Sequence, residues 1–222
     1  MKVILFGATG MLGQGVLHVA LRDPGVDEIL VIGRTPIEQQ HAKLREIVHG
    51  DLMDLTAIEG QLVGYDACFF CLGTSAVGMS EADYRRVTYD FTLSVAQTLA
   101  RLNPESTFIY VSGAGTDSTE HGRLMWARVK GETENAVLAL PLDAYMFRPG
   151  LIQPLRGVKS KTRLYRTAYS VAGPLMWAMH RVAPGRISTT DQIAEAMIAV
   201  ANHGAPKKIL ENSDIRAAAE SG

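Results

Sequence analysis

The chain has two cysteines, no long apolar run and almost no charge imbalance, and each scarcity removes a class of protein. Cys68 and Cys71 stand three apart in the strand-like run Ala67–Cys71, so they point to opposite faces and do not reach each other. A redox pair at that spacing usually opens a helix, so these read as buried structural thiols. No stretch approaches the roughly 18 apolar residues of a membrane span. The best candidate, Tyr169 to Met179, is short and contains Gly173-Pro174. The N-terminal run Met1–Gly7 is too short for a secretory signal and lacks a small-residue cleavage site. The expectation is a cytoplasmic protein. With 22 basic and 23 acidic residues and no blocks of either, no global field favours nucleic acid. Repeats and low-complexity segments are absent, and no metal site is expected.

What is present is an alternation of strands and helices. At 222 residues, one domain over 1–222 is expected, with ample length for a core. Strand candidates are Lys2–Phe6, Glu28–Ile32, Glu46–His49, Ala67–Cys71, Thr107–Ser112 and Asp143–Arg148. Several are apolar throughout, as in strands covered on both faces. Helices are expected over Met11–Arg22, Glu81–Leu102 and Leu124–Leu140. Ser80 and Asp83 form a capping box for the second, and Asn103-Pro104 closes it. After Arg148-Pro149-Gly150 the rhythm changes. A basic loop holding Arg156, Lys159, Lys161, Arg163 and Arg166 leads to a helical stretch with apolar positions from Leu164 to Val182. Then come a helix near Thr190–Asn202, a strand at Ile209–Leu210 and a last helix. Residues 151–222 are expected to extend the domain over its cleft, on the substrate or partner side.

The first strand runs straight into Gly7-Ala8-Thr9-Gly10-Met11-Leu12-Gly13, which opens a helix. In this strand–turn–helix context the first glycine makes the tight turn, the second lets backbone amides approach a pyrophosphate, and the third packs helix on strand. The helix N-terminus adds free N–H groups and partial positive charge. This predicts an α/β, doubly wound parallel Rossmann sheet binding a dinucleotide through Gly7, Thr9, Gly10, Met11, Leu12 and Gly13. After the second strand, where NAD sites usually carry an acid for the ribose 2′-hydroxyl, stands Arg34. Its planar donor fork suits a 2′-phosphate, so NADP(H) is expected in preference to NAD(H). Asp51 and Leu52 follow the third strand, placed to meet the adenine amino group and ring. Leu72, Gly73 and Thr74 follow the fourth, small enough for the cofactor to approach the backbone.

Taken together, G-A-T-G-x-x-G, Arg34, Gly50-Asp51-Leu52 and Cys71-Leu72-Gly73-Thr74 resemble an atypical short-chain dehydrogenase/reductase, nearest the Tat-interactive-protein-like oxidoreductase branch and its bacterial relatives. Arg86-Val87 with Asp90, Val129-Lys130-Gly131-Glu132, Phe147-Arg148-Pro149-Gly150 and Leu210-Glu211-Asn212 extend the resemblance along the chain. The resemblance implies a Tyr-x-x-x-Lys pair on the helix after the fifth strand, a Ser at that strand's end polarising the substrate oxygen, and proton exchange by the Tyr as hydride moves. Lys130 matches the Lys and Ser112 the Ser, and Pro149 and Gly150 match the loop beside the nicotinamide. The Tyr position holds Trp126, whose indole N–H donates but does not ionise usefully near neutral pH. Trp126 either covers the nicotinamide or packs in the core. His121, with Arg123, is the remaining candidate donor.

Two functions follow. One is an NADP(H)-dependent oxidoreductase or epimerase-like enzyme acting on a small carbonyl or sugar-derived substrate with a non-standard proton donor. The other is a non-catalytic NADPH-binding sensor or regulatory protein. A membrane or assembly role rests only on the apolar face of residues 164–182. The basic loop reads as a solvated segment or a site for an anionic partner. A homodimer and a monomer are both compatible with the helices Glu81–Leu102 and Leu124–Leu140.

Overall fold

The computed structural model describes residues 1–155 and 187–221. Its architecture follows from strands that are apolar at nearly every position. In β1 (Lys2–Phe6), Val3 and Leu5 belong to one core, Ile4 and Phe6 to the other, and all four are buried. Strand side chains alternate faces, so such a strand needs cover on both sides. The same division holds in β2 (Glu28–Gly33), β4 (Ala67–Phe70), β5 (Thr107–Val111) and β6 (Asp143–Arg148). One face packs on α1 (Met11–Ala20), α5 (Thr190–His203) and α6 (Asn212–Ser221). The other packs on α3 (Phe91–Leu102), α4 (Met125–Leu138) and the short 3-10 turn Thr56–Gln61.

With β3 (Leu44–Val48) and β9 (Ile209–Glu211), the strands make a seven-stranded sheet in the order β3-β2-β1-β4-β5-β6-β9. Every neighbouring pair in it is parallel. The doubly wound parallel sheet expected from the sequence is therefore present. A second, two-stranded parallel sheet pairs β7 (Leu151–Gln153) with β8 (Ile187–Thr189). Residues 187–221 extend the domain by adding β9 at the sheet edge and by laying α5 on α1 and α6 on α5. The basic loop 156–166 and the apolar stretch 164–182 fall outside the described residues.

Several boundaries move for physical reasons. β3 lies earlier than the expected Glu46–His49, because it is an edge strand with Arg45 and Glu46 exposed and so lacks an apolar run. β7 and β8, three residues each, are too short to print a period. The expected helix Glu81–Leu102 is α2 (Glu81–Arg85) joined to α3 through a π-helical turn at Arg86–Asp90. At its start the Ser80 hydroxyl accepts from Asp83 N at 3.1 Å, while the Asp83 carboxylate takes the Ser80 hydroxyl at 2.6 Å. The reciprocal capping box is instead at Thr189 and Gln192, opening α5. Phe70 sits within 6.0 Å of four ring centroids, and one of them, Phe91, ties the start of α3 to the end of β4. Among the described residues no helix is long and apolar enough to cross a membrane.

The loop between β5 and α4 lies directly on that helix. A β-carbon at Gly131 would come 1.8 Å from the Asp117 carbonyl oxygen, so only glycine lets the loop backbone touch the helix. Asp117 also organises the loop, its carboxylate accepting from Gly122 N at 2.6 Å and Thr119 N at 3.0 Å. These bonds hold its carboxyl below the usual range, the Thr119 hydroxyl contributing most. Gly131→Ala is expected to lower stability by about 1–3 kcal/mol or more, as overpacking does, measured by urea unfolding. An unchanged midpoint would mean that the loop does not rest on α4.

Candidate functional site

In a parallel sheet all carboxyl ends share one edge. Gly7, Arg34, Cys71, Ser112 and Pro149 each directly follow the last residue of a strand, so the chain's chemistry gathers there. The strand order runs outward from β1 in one direction through β2 and β3, and in the other through β4. This is the switch point at which open α/β sheets leave a crevice for ligand.

The glycine turn is built by close contacts. Gly7 has φ +89°, and a β-carbon on it would lie 2.7 Å from the Cys71 carbonyl carbon. A β-carbon on Gly13 would lie 2.1 Å from the Gly7 carbonyl oxygen, so the start of α1 presses against the turn. Gly10 N closes the turn onto Gly7 O at 2.9 Å, and Gln14 Nε2 holds Thr9 O at 3.0 Å. Gly10 caps α1 without a side-chain bond, and no acidic residue stands in the first turn. The amides of Met11, Leu12 and Gly13 thus have no acceptor within the α-helical pattern, and the helix's first turn supplies no carboxylate of its own. Met11 is partly exposed, and Leu12 packs in the core.

Beside the turn is a cleft of about 320 Å³ in which Arg34, Asp51, Leu52, Leu72, Gly73 and Thr74 come together. All six were expected from the sequence to bind the dinucleotide, Arg34, Asp51 and Leu52 at its adenosine half and Leu72, Gly73 and Thr74 where a ribose or the nicotinamide approaches the backbone. Arg34, Asp51, Gly73 and Thr74 are exposed, and Leu52 is buried. Asp51 Oδ1 accepts from Met53 N at 2.9 Å, which fixes the turn after β3. Arg86 and Val87 are among the further residues that line it. The sequence offered them only as part of a resemblance. Their signal as lining residues was the capped helix start at Ser80, which carries the next turns over the sheet edge.

The other expected residues gather farther along the edge. Lys130 Nζ donates to the Ser112 carbonyl, and Trp126, one turn earlier on α4, rests against Gly115. A β-carbon on Gly115 would be 3.4 Å from Trp126 Cη2. Pro149 O accepts from Ala114 N at 2.9 Å, and Gly150 N donates to Asn212 Oδ1 at 2.9 Å. The loops after β5 and β6 are therefore laced together beside Lys130. His121 lies in the exposed part of the β5–α4 loop.

Ser112 behaves differently from the role its resemblance implied. Its hydroxyl is buried and donates to Glu134 Oε1 at 2.5 Å, with a second contact of 3.2 Å to Phe147 O. Its one proton is engaged inside the protein. Glu134, fully buried, is also gripped by the guanidinium of Arg148, whose Nε donates to Oε1 at 3.0 Å and whose Nη2 donates to Oε2. Arg148 reaches Ser118 and Glu211 as well. The bonds to Glu134 raise the Arg148 pKa further. Such a pair, once formed, is costly to break from one side, at about 3–5 kcal/mol. This cluster joins β5, α4 and β6 and was not foreseen. Its one sequence trace was Glu134 standing a helical turn beyond Lys130.

Burial strips water from the Lys130 ammonium and drops its pKa to about 8, against an opposing pull from Glu134. Cys68 and Cys71 are free thiols, and burial pushes the Cys71 pKa up to about 12, consistent with inert structural cysteines. Among the described residues there is no cluster able to hold a metal ion.

The glycine turn at the switch point of this sheet defines a class, the dinucleotide-binding Rossmann proteins. The chain belongs to the NAD(P)H-binding family, whose profile matches residues 7–203. It is 32% identical over 159 residues to protein fmp52, mitochondrial, of Emericella nidulans, covering 68% of this chain and 66% of that one. With the Aspergillus clavatus fmp52 protein it shares 30% over 163 residues, 70% of this chain and 68% of that one. With leucinostatins biosynthesis cluster protein T of Purpureocillium lilacinum it shares 29% over 122 residues, but only 45% of that protein's length. The chain spans between 45% and 68% of the length of these three relatives. Among solved structures it resembles the Bordetella bronchiseptica enzyme WbmF in complex with NAD+, at TM-score 0.69 and 14% identity, covering 99% of this chain and 77% of that one. It also resembles a UDP-N-acetylglucosamine 4-epimerase of Methanobrevibacter ruminantium, at TM-score 0.68 and 16% identity, covering 95% and 75%. At these identities the likeness is one of fold. The fmp52 relatives are named mitochondrial, which corrects the expectation of a cytoplasmic protein.

The lowered Lys130 pKa has a direct readout. Roughly half of an amine with pKa 8 is uncharged at pH 8, against under about 1% for an ordinary lysine. Acetylation of Lys130 by acetic anhydride, followed by mass spectrometry, should quicken up to about pH 8 and then level off. Exposed lysines should keep gaining to far higher pH. A Lys130 profile that keeps rising with theirs would contradict the burial described here.

Proposed function

We propose that the chain binds NADP(H) across its sheet edge and acts as an oxidoreductase of the atypical short-chain dehydrogenase/reductase type on a small carbonyl or sugar-derived substrate. Within that type, its motif set sides with the Tat-interactive-protein-like branch. The observation that carries the binding reading is the glycine turn: uncapped amides at the start of α1, no acid in its first turn, and backbone contacts that a single β-carbon would fill. The cleft beside it supports placing the adenosine half there. Asp51 would accept from the adenine amino group, Leu52 would cover the ring, and Arg34 would meet a ribose 2′-phosphate with its donor fork.

On the nicotinamide side, the reduced ring would supply a hydride when bound. Lys130 would hold the ribose hydroxyls there, and Trp126, with Pro149 and Gly150, would wall the ring and exclude water. Ser112, bonded to Glu134, serves in this reading to shape the wall and present its carbonyl to Lys130. In this reading the segment from residue 151 onward is assigned to the substrate or partner side.

A second reading is favoured by one observation, the Trp126 indole at the position where proton transfer needs an ionisable group. In it the protein binds NADPH without turnover and reports the cofactor's redox state. Loss of NADPH absorbance against a panel of aldehydes, ketones and sugar nucleotides separates the two. Turnover above the uncatalysed rate supports the enzyme, whereas tight binding with none supports the sensor. For the cofactor, Arg34→Ala is expected to weaken NADPH binding about tenfold or more, the scale of a lost charged hydrogen bond, and to leave NADH nearly untouched. Equal losses measured by calorimetry would remove the phosphate preference.

A further inference from the structure

Among the described residues, five arginines are neutralised where they lie. Arg45, Arg85, Arg101, Arg128 and Arg148 each stand within ion-pair distance of a carboxylate. Arg86 is exposed and, among the described residues, in no ion pair, although it immediately follows Arg85, which pairs with Glu132 and covers the Tyr89 ring at 4.1 Å. Successive residues on a helix point about 100° apart. Arg85 is thus turned to α4, and Arg86 to the cleft that also holds Arg34. Arg34 too is exposed and outside any ion pair among the described residues. The one carboxylate lining the same cleft, Asp51, accepts from Met53 N. Two guanidinium groups, one directly after β2 and one at the π-helical turn, therefore line a 320 Å³ space with a single acid.

We infer that Arg86 is a second specificity-determining residue for the cofactor, holding the ribose 2′-phosphate together with Arg34 in the cleft both line. This rests on the NADP(H) reading above. A phosphate monoester carries close to two negative charges and three acceptor oxygens near neutral pH, more than one guanidinium fork satisfies. A 2′-hydroxyl needs neither arginine. The π-helical turn contributes by position: the widened Arg86–Asp90 turn, whose end is set by Phe91 N donating to Arg86 O, lies where α2 passes into α3 over the sheet edge. Such turns recur at functional sites.

The test is a calorimetric titration of the full chain and its Arg86→Ala and Arg86→Lys variants with 2′,5′-ADP, 5′-ADP, NADPH and NADH. Arg86→Ala should weaken 2′,5′-ADP and NADPH by about tenfold and leave 5′-ADP and NADH within about twofold. Arg86→Lys should recover part of the loss, keeping the charge without the fork. Because Arg86 is exposed, thermal unfolding should be unchanged, which separates a lost anchor from a damaged fold. Equal losses for phosphorylated and unphosphorylated ligands would place Arg86 on the adenine or diphosphate and overturn the inference, as would no loss for any ligand. If the unaltered chain binds none of the four, the cofactor reading itself fails; if it binds all four without preferring the 2′-phosphate, only the NADP(H) choice and the Arg86 role fall.

Discussion

The site depends on a contact between backbones, that of α1 at Gly13 with the carbonyl of Gly7, which no side chain could occupy. This approach brings the helix start down onto the carboxyl end of β1, and a further contact between Gly7 and Cys71 brings β4 to the same point. Everything that could touch a dinucleotide is referred to that junction. Arg34 comes from the strand on one side, Leu72 to Thr74 from the strand on the other. The α1 amides lie between them with no acid in the helix's first turn. The parallel pairing of all seven strands keeps these loops on a single edge.

The sheet edge beyond β5 is held by different means. There the loop after β5 lies on α4 at Gly131, and the buried Glu134–Arg148 pair ties α4 to β6. Lys130 is drawn in against the Ser112 carbonyl, losing much of its hydration. The cleft itself carries two exposed arginines, whereas the region around Lys130 farther along the edge is internally bonded.

Most of the fold was legible because the physics was local and repeated. Strands apolar on both faces announced a covered parallel sheet, and three glycines between a strand and a helix announced the turn. Arg34, Asp51, Leu52 and the Leu72–Thr74 segment follow from strand ends alone, and the structure gathers all of them in one cleft. What the sequence hid depends on three-dimensional neighbours. The Ser112 hydroxyl turns inward because Glu134 and Arg148, far apart in the chain, meet behind it. Arg86 entered the sequence reading only through the resemblance, and the π-helical turn and the Glu132 pairing of Arg85 are what distinguish it from its neighbour. Edge strand β3 and the pair β7–β8 carry too few buried residues to leave a pattern. Compartment was not readable from the absence of a leader-like run.

The account stands on the amides that open α1. Backbone ¹H–¹⁵N spectra of the labelled protein, recorded with and without NADPH, observe them directly. The amides of Gly10 through Gly13 should shift strongly and saturably, together with those around Arg34 and Gly73. Nucleotide at millimolar concentration that leaves the Gly10–Gly13 signals in place would contradict it.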